Sequence, residues 1–199
     1  MNSTLWKERE FSSKNKQKNA SLHRHIEEVV ITLSKTLIGK NMKTITITNL
    51  QEIEKIIHKC PYCTVGIIDL KGEPYVVPMN FAYKDGTIYL HSGPEGSKVE
   101  MVTLHPQVCI TFCEGHELVY MHKQIACSYS MKSRSVICRG KVKFIEDMTE
   151  KRRILDTIMK QYTENECGYS EPAVRNVKIW EVKIEHMTCK SFGLRPSDI

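Results

Sequence analysis

Leu50, Ile53, Ile56 and Ile57 recur at helical spacing behind Asn49, with Glu52 three residues on, a pattern that predicts a capped amphipathic helix. It runs into Cys60-Pro61-Tyr62-Cys63, after which Thr64 to Leu70 is short, apolar and β-branched and is broken by Lys71-Gly72-Glu73-Pro74, the mark of a strand and turn. Residues 75–92, YVVPMNFAYKDGTIYLHS, carry a sharper signal, because Asp85-Gly86 between two apolar runs is a two-residue hairpin turn. That turn sets a register: Lys84 opposite Thr87, Tyr83 opposite Ile88, Ala82 opposite Tyr89, Phe81 opposite Leu90, Asn80 opposite His91 and Met79 opposite Ser92. Tyr75, Val77, Met79, Phe81, Tyr83, Ile88 and Leu90 then share the expected core face.

The opposite face carries Val76, Pro78, Asn80 and Ala82 with Tyr89 and His91, and its short side chains leave room for a flat ligand. Asn80 and His91 pairing with each other across the strands is the plainer alternative. Pro78 marks an edge or a bulge. Next comes HSGPEGSKVEMVTLHP, a strand, a Gly-rich loop and a short helix, in which Ser97 and Glu100 spell a capping box. Backbone N–H groups at such a helix start, with Lys98 in the first turn, suit a phosphate, although the spacing is not that of a Walker A loop.

In the second half, Val108 to Phe112 and Leu118 to Met121 read as short strands. Residues 135–145 alternate, with Val136, Cys138, Gly140, Val142 and Phe144 against Ile137, Arg139, Lys141 and Lys143, as a half-buried strand does. A helix capped by Asp147 and striped by Ile154, Leu155, Ile158, Met159 and Tyr162 follows, and Val177 to Met187 reads as the last strand. About six antiparallel strands with a few short flanking helices predict a mainly β fold, a split or closed barrel of Greek-key type.

Charge changes the picture little. The 199 residues carry a formal net charge of +6, but residues 1–41 hold eight Lys and Arg against four Glu, which leaves +2 for the remainder and weakens a nucleic-acid reading. That stretch reads as a polar N-terminal extension, in part disordered, with an amphipathic stripe from Leu22 to Leu37; the domain proper is expected over 42–199 and to fold without it. No apolar run reaches the roughly 18 residues of a membrane span. Eight cysteines without a secretory signal point to the cytoplasm and to free thiols. Cys113, His116 and His122 match no common zinc spacing, so no metal is expected. The Cys60/Cys63 motif is spelled as in glutaredoxins, yet thiol exchange needs the order strand, motif, helix. Here the helix precedes the cysteines and its dipole disfavours a thiolate, so the expected role is structural.

PYVVPMNFAYKDGTIYLHSGPEGSK, with MKSRSVICRGKVKFIED and KIEHMTCKSF, resembles the pyridoxamine 5'-phosphate oxidase-like superfamily of FMN-binding split barrels, in particular its 5-nitroimidazole resistance (Nim) branch, over about residues 43–192. The resemblance implies a homodimer with FMN between the subunits. Val77, Pro78, Met79 and Asn80 would run beside the flavin ring, and His91, Ser92, Ser97 and Lys98 would lie near the phosphate end or the ring, with His91 the candidate catalytic group. Arg134 and Ser135 would come from the partner subunit. It further implies an FMN-dependent oxidoreductase, passing electrons from NADH or NADPH to a nitro compound or another small acceptor. A non-enzymatic FMN- or haem-binding carrier or sensor is the alternative, with thiol exchange third. The C-terminal SFGLRPSDI supplies no clear basic substrate segment like that of the pyridoxamine phosphate oxidases proper, which disfavours that substrate.

Overall fold

The computed structural model describes residues 43–194, so the expectations for the extension and its Leu22–Leu37 stripe lie outside the described residues. The elements are β1 (Lys43–Ile47), α1 (Leu50–Lys59), β2 (Cys63–Ile68), β3 (Pro74–Met79), β4 (Phe81–Lys84), β5 (Thr87–Ser92), α2 (Ser97–Leu104), β6 (Gln107–Tyr120), β7 (Tyr129–Ile145), α3 (Met148–Tyr162), α4 (Glu171–Arg175) and β8 (Lys178–Leu194). None of these helices is long and apolar enough to cross a membrane.

Two compact units divide the chain. One is Thr44–Glu117 with Lys132–Phe192, and the other includes Leu118–Met131. The larger unit is a split barrel of antiparallel strands, in the order β3-β2-β6-β7-β8-β5-β4, with β1 added on β8. The two ends of that order, β3 and β4, are consecutive in the chain and separated only by Asn80. The backbone itself therefore links the sheet's two edges, which leaves neither as a long open template for another chain. Here the structure corrects the sequence pattern. The alternation predicts one hairpin strand over Tyr75 to Tyr83, but its first half pairs with β2 (Cys63↔Met79 through Ile68↔Pro74) and only its second half pairs with β5. The Phe81 N–H, at the break, donates to Tyr162 Oη of α3 at 2.8 Å, so leaving one ladder for the other costs no buried donor.

Further differences follow from the same geometry. Eight strands are described rather than about six, since β1 has no clear sequence signal and the split makes two strands of one. The two short strands expected after α2 are one, β6, while β7 and β8 each run 17 residues. Long strands bend to follow a barrel, and β7 does so at a bulge between Arg139 and Gly140. A Cβ on Gly140 would collide with the Lys183 carbonyl oxygen, which explains glycine in that alternating run.

Inside the barrel Val65, Ile67, Phe81, Ile88, Leu90, Ile110, Phe112, Val136 and Trp180 form one core, with Phe81 edge-on to Phe112 at 4.8 Å. α1 closes against it through Ile53, Ile56 and Ile57, whereas Leu50 is exposed. A second core lies outside the wall, where Ile154, Leu155 and Ile158 of α3 and Val174 of α4 cover Ala82, Tyr89, Ile145 and Ile179. Burying each such aliphatic side chain is worth about 1.5–3 kcal/mol, enough to fix α3 on the sheet. Asp147 caps α3 as expected, its Oδ1 accepting from Glu150 N at 2.8 Å.

In the smaller unit, Leu118–Met131 holds a 3-10 turn, Ala126–Ser128. Ser128 Oγ accepts from His122 N and donates toward the His122 and Ile125 carbonyls, while the Tyr120 and Tyr129 rings lie 4.9 Å apart.

Candidate functional site

The Asp85-Gly86 turn has positive φ at both central residues, 48° and 73°, as the primed hairpin turns require. It sets the four pairs Lys84↔Thr87 to Phe81↔Leu90 as the sequence predicts. The ladder then stops. Asn80 does not oppose His91, nor Met79 Ser92; His91 and Ser92 continue β5 on β8, opposite Ile179 and Lys178. The platform expected on the outer face of the hairpin is also smaller than predicted, because Ala82 and Tyr89 are covered by α3. What remains outward on this strand is Val76, Pro78 and Asn80, all exposed, while Val77 packs on the core, Met79 is buried in it, and Tyr75 is exposed rather than part of the core face.

Past the ladder's end the chemistry gathers. Ser92 Oγ accepts from the fully buried Trp180 Nε1 at 3.1 Å and donates to the Gly93 carbonyl at 2.8 Å, which ties the following loop to the barrel. His91 is half-buried, and its imidazole is held below its ordinary pKa by that burial and by the nearby Lys98 charge. Lys98 thus lies near enough to His91 for its charge to act on the ring.

The start of α2 differs from expectation in a way that favours a ligand. Gly96, not Ser97, is the cap residue, at φ 114°, and no side chain caps the helix. The capping box fails because Ser97 already lies inside the first turn; Val99 N and Glu100 N bond instead to the Gly96 carbonyl, at 2.9 and 3.2 Å. Among the described residues the Ser97 and Lys98 N–H groups and the exposed Ser97 hydroxyl have no partner. Unpartnered N–H groups, a hydroxyl and an ammonium at the positive end of a helix dipole form a donor set for a phosphate. Val102 of α2 is buried in the barrel core and the helix packs against β2, the strand that also carries β3, so loop and outward face are built on one support.

Arg134 and Ser135 lie elsewhere in this chain. Arg134 Nε donates to Glu114 Oε2 at 2.7 Å and its Nη1 lies 3.8 Å from Glu52 Oε1; the guanidinium holds the Glu114 carboxyl below its usual range. Ser135 sits in the β7–β8 ladder opposite Lys190.

The Cys60-Pro61-Tyr62-Cys63 motif lies where the pattern places it, between the end of α1 and the start of β2. Both cysteines are free and buried. Cys60 Sγ donates to the Ile56 and Cys113 carbonyls at 3.3 and 3.4 Å, and Cys63 Sγ to the Met79 carbonyl at 3.4 Å. Burial pushes the thiols up to about 11 and about 12, the reverse of an exchanging pair. No group of three His, Cys, Asp or Glu among the described residues is placed to hold a metal ion.

Sequence reasoning misses Tyr162 and Trp180 as the supports of the strand break and the loop. The pattern places Tyr162 only in a buried stripe and Trp180 only in a strand, yet Tyr162 is exposed, and each carries a polar tip that finds a hydrogen-bond partner.

The pyridoxamine 5'-phosphate oxidase family profile matches residues 49–191. No match was found among curated proteins. Of solved structures, a protein from Bacteroides thetaiotaomicron ascribed to 5-nitroimidazole antibiotic resistance is 60% identical, with a TM-score of 0.71 over 77% of this chain and 90% of that one. A flavocytochrome from Azotobacter vinelandii (19% identity, TM-score 0.65, 77% and 73% of the two chains) and an FAD- and haem-binding protein from Mycobacterium smegmatis (13%, 0.65, 76% and 73%) share the fold. This chain belongs to the pyridoxamine 5'-phosphate oxidase family, on the branch of the 5-nitroimidazole resistance proteins.

Proposed function

We propose that the protein binds FMN and serves as an oxidoreductase, taking electrons from NADH or NADPH and giving them to a nitro compound or similar small acceptor. The observation that carries this reading is the start of α2, an anion site with no side-chain cap of its own, beside a half-buried histidine. The resistance-protein relative at 60% identity supports the nitro compound as acceptor. Bound FMN supplies the two-electron chemistry, in which the nicotinamide gives up a hydride and a nitro group takes two electrons and two protons to become a nitroso group and water.

The chain's own residues bind and orient. Ser97, Lys98 and the adjacent N–H groups hold the phosphate, and Ser92 fixes the loop through Trp180. Val76, Pro78 and Asn80 offer the exposed strand along which a flat ring lies. His91, kept neutral near pH 7 by its lowered pKa, has one ring nitrogen able to donate and one able to accept a proton. In this reading two copies assemble around the cofactor, and Arg134 and Ser135 reach the site of the opposite subunit.

The test is an absorption spectrum of the protein as purified, followed by FMN titration of the flavin-free form. Flavin bands and saturable binding are expected. Their absence in the full chain would overturn the assignment.

A further inference from the structure

α3 covers only part of the barrel's outer wall. Its apolar side lies over Ala82 and Tyr89, and the next outward row, two residues along each strand, carries exposed side chains instead. That row is Lys141–Lys183–Thr87–Lys84, read across β7, β8, β5 and β4 from their paired positions. Directly opposed residues share one side of a sheet, so the three ammonium groups stand on one face. With strands about 4.8 Å apart, the row is about 14 Å long. Arg139, two residues from Lys141 and opposite His186, sets a fourth cation about 6.8 Å to the side. Lys84, Arg139, Lys141 and Lys183 are all exposed.

This row does not serve the fold. Lys141 and Lys183 are directly opposed, and like charges so placed repel. None of the four cations has an ion-pair or hydrogen-bond partner among the described residues. Glu185, which the bulge leaves unpaired on β8, accepts from Gln107 Nε2 at 3.4 Å rather than from any of them. Elsewhere on the wall the pattern is different, since Lys151 and Lys178 share Glu146, while Arg153 and Arg175 each bond a glutamate of their own helix.

We propose that this face docks an acidic segment of a partner protein, lying extended across β7, β8 and β5. Alternate residues of an extended chain are about 6.8 Å apart, so three carboxylates at alternate positions span the same 14 Å as the row. The occupant's charge follows from what the face repels. The chain's own residues 1–41 hold eight Lys and Arg against four Glu, and a second copy turned onto the same face would set these lysines against themselves. A nucleic acid fits less well, because the row offers no aromatic ring on which bases stack.

The test titrates the full-length protein into a fluorescein-labelled peptide of alternating Glu and Ser, followed by anisotropy. The same peptide with Gln for Glu, a single-stranded DNA and phosphatidylserine vesicles are run beside it. Saturable binding of the Glu peptide is expected, fading as salt rises. It should weaken at least tenfold in the Lys141→Gln, Lys183→Gln double variant, severalfold in Arg139→Gln, and not at all in Lys160→Gln, whose exposed lysine lies on α3. The double variant loses a repulsion, so it should melt no lower than the wild type, with FMN affinity within about twofold. No binding of the Glu peptide, or equal binding by the Gln peptide or the double variant, overturns the proposal. Tighter binding of the DNA or the vesicles overturns it too, by giving the face to another partner. A double variant that melts well below the wild type would show that the lysines serve the fold, and would overturn it equally.

Discussion

The connector at residues 60–63 and the loop at residues 93–98 draw attention for the same reason, since each gathers reactive residue types into a short stretch. Their physical states are opposite. In the connector each thiol donates to a backbone carbonyl, both are buried, and both are pushed far from ionisation. In the loop a helix begins without a side-chain cap, Ser97 is exposed with a free hydroxyl, and Lys98 stands close enough to His91 to lower its pKa. Residue type alone does not separate the two. What separates them is whether the polar atoms already have partners, because a buried group that is satisfied adds stability while an unsatisfied donor set at a helix start awaits a ligand.

The contrast breaks most visibly at high pH. A thiol whose pKa is about 11 or 12 in the folded protein and near 9 when unfolded keeps its proton on folding. Its contribution to stability is complete below pH 9 and is lost as pH rises from there through 11 and 12. A tenfold difference in acidity between the folded and unfolded states corresponds to about 1.4 kcal/mol, so the two thiols together withdraw several kcal/mol over that range. Urea unfolding at pH 7 to 11 is expected to show this loss in the wild-type protein and a flatter profile in a Cys60→Ala, Cys63→Ala variant, with unchanged FMN affinity. Rapid alkylation of Cys60 or Cys63 in the folded protein at pH 7 would place the connector with the reactive sites instead.

The loop should respond in the reverse manner. Lys98→Ala removes a charge-assisted contact worth about 1.5–3 kcal/mol, which corresponds to a loss of FMN affinity of at least tenfold. Unfolding without ligand should change little, since a lysine in the first turn of a helix gains nothing from the dipole. An unaltered FMN titration would remove the phosphate role. Gly96→Ala probes the same loop through the backbone: nothing stands within 4 Å of the added Cβ, but φ at +114° strains any other residue, at about 1–3 kcal/mol of stability. A variant as stable as the wild type would show that the loop does not need this conformation.

How much of this is legible in the sequence depends on the range of the interactions. The Asp-Gly turn, the Asn49 and Asp147 caps and the alternation of residues 135–145 are set by neighbours a few residues apart, and all appear as expected. The break at Asn80 is not of that kind. Residues 75–84 alternate as one strand would, and only the competition between β2 and β5 for its two halves, with Tyr162 Oη accepting from the freed Phe81 N–H, divides it. The loss of Ala82 and Tyr89 from the ligand face has the same origin, since α3 packs there from more than 60 residues beyond Ala82 in the chain. The loop before α2 is therefore legible in the sequence, but the outward face beside it can be drawn only once the barrel's closure is known.

The smallest effect is the most direct check that the loop and β5 share one space. His91 falls below its ordinary 6.5 chiefly because it is buried and secondly because of Lys98. The sign follows from linkage: the unfolded chain takes up this proton at higher pH than the folded one, so the fold is unaffected above pH 7 and loses stability as pH falls through 6.5 toward the folded-state value. Lys98→Ala removes only the second cause, so the His91 titration followed by NMR should move part of the way back toward 6.5 and stop short of it. Inorganic phosphate added to the wild-type protein should act in the same direction, since an anion at the start of α2 offsets the Lys98 charge and favours the imidazolium. A His91 pKa indifferent to both changes would mean that the ammonium and the imidazole do not face each other, and the ring and phosphate ends of the site would then have to be sought in different places.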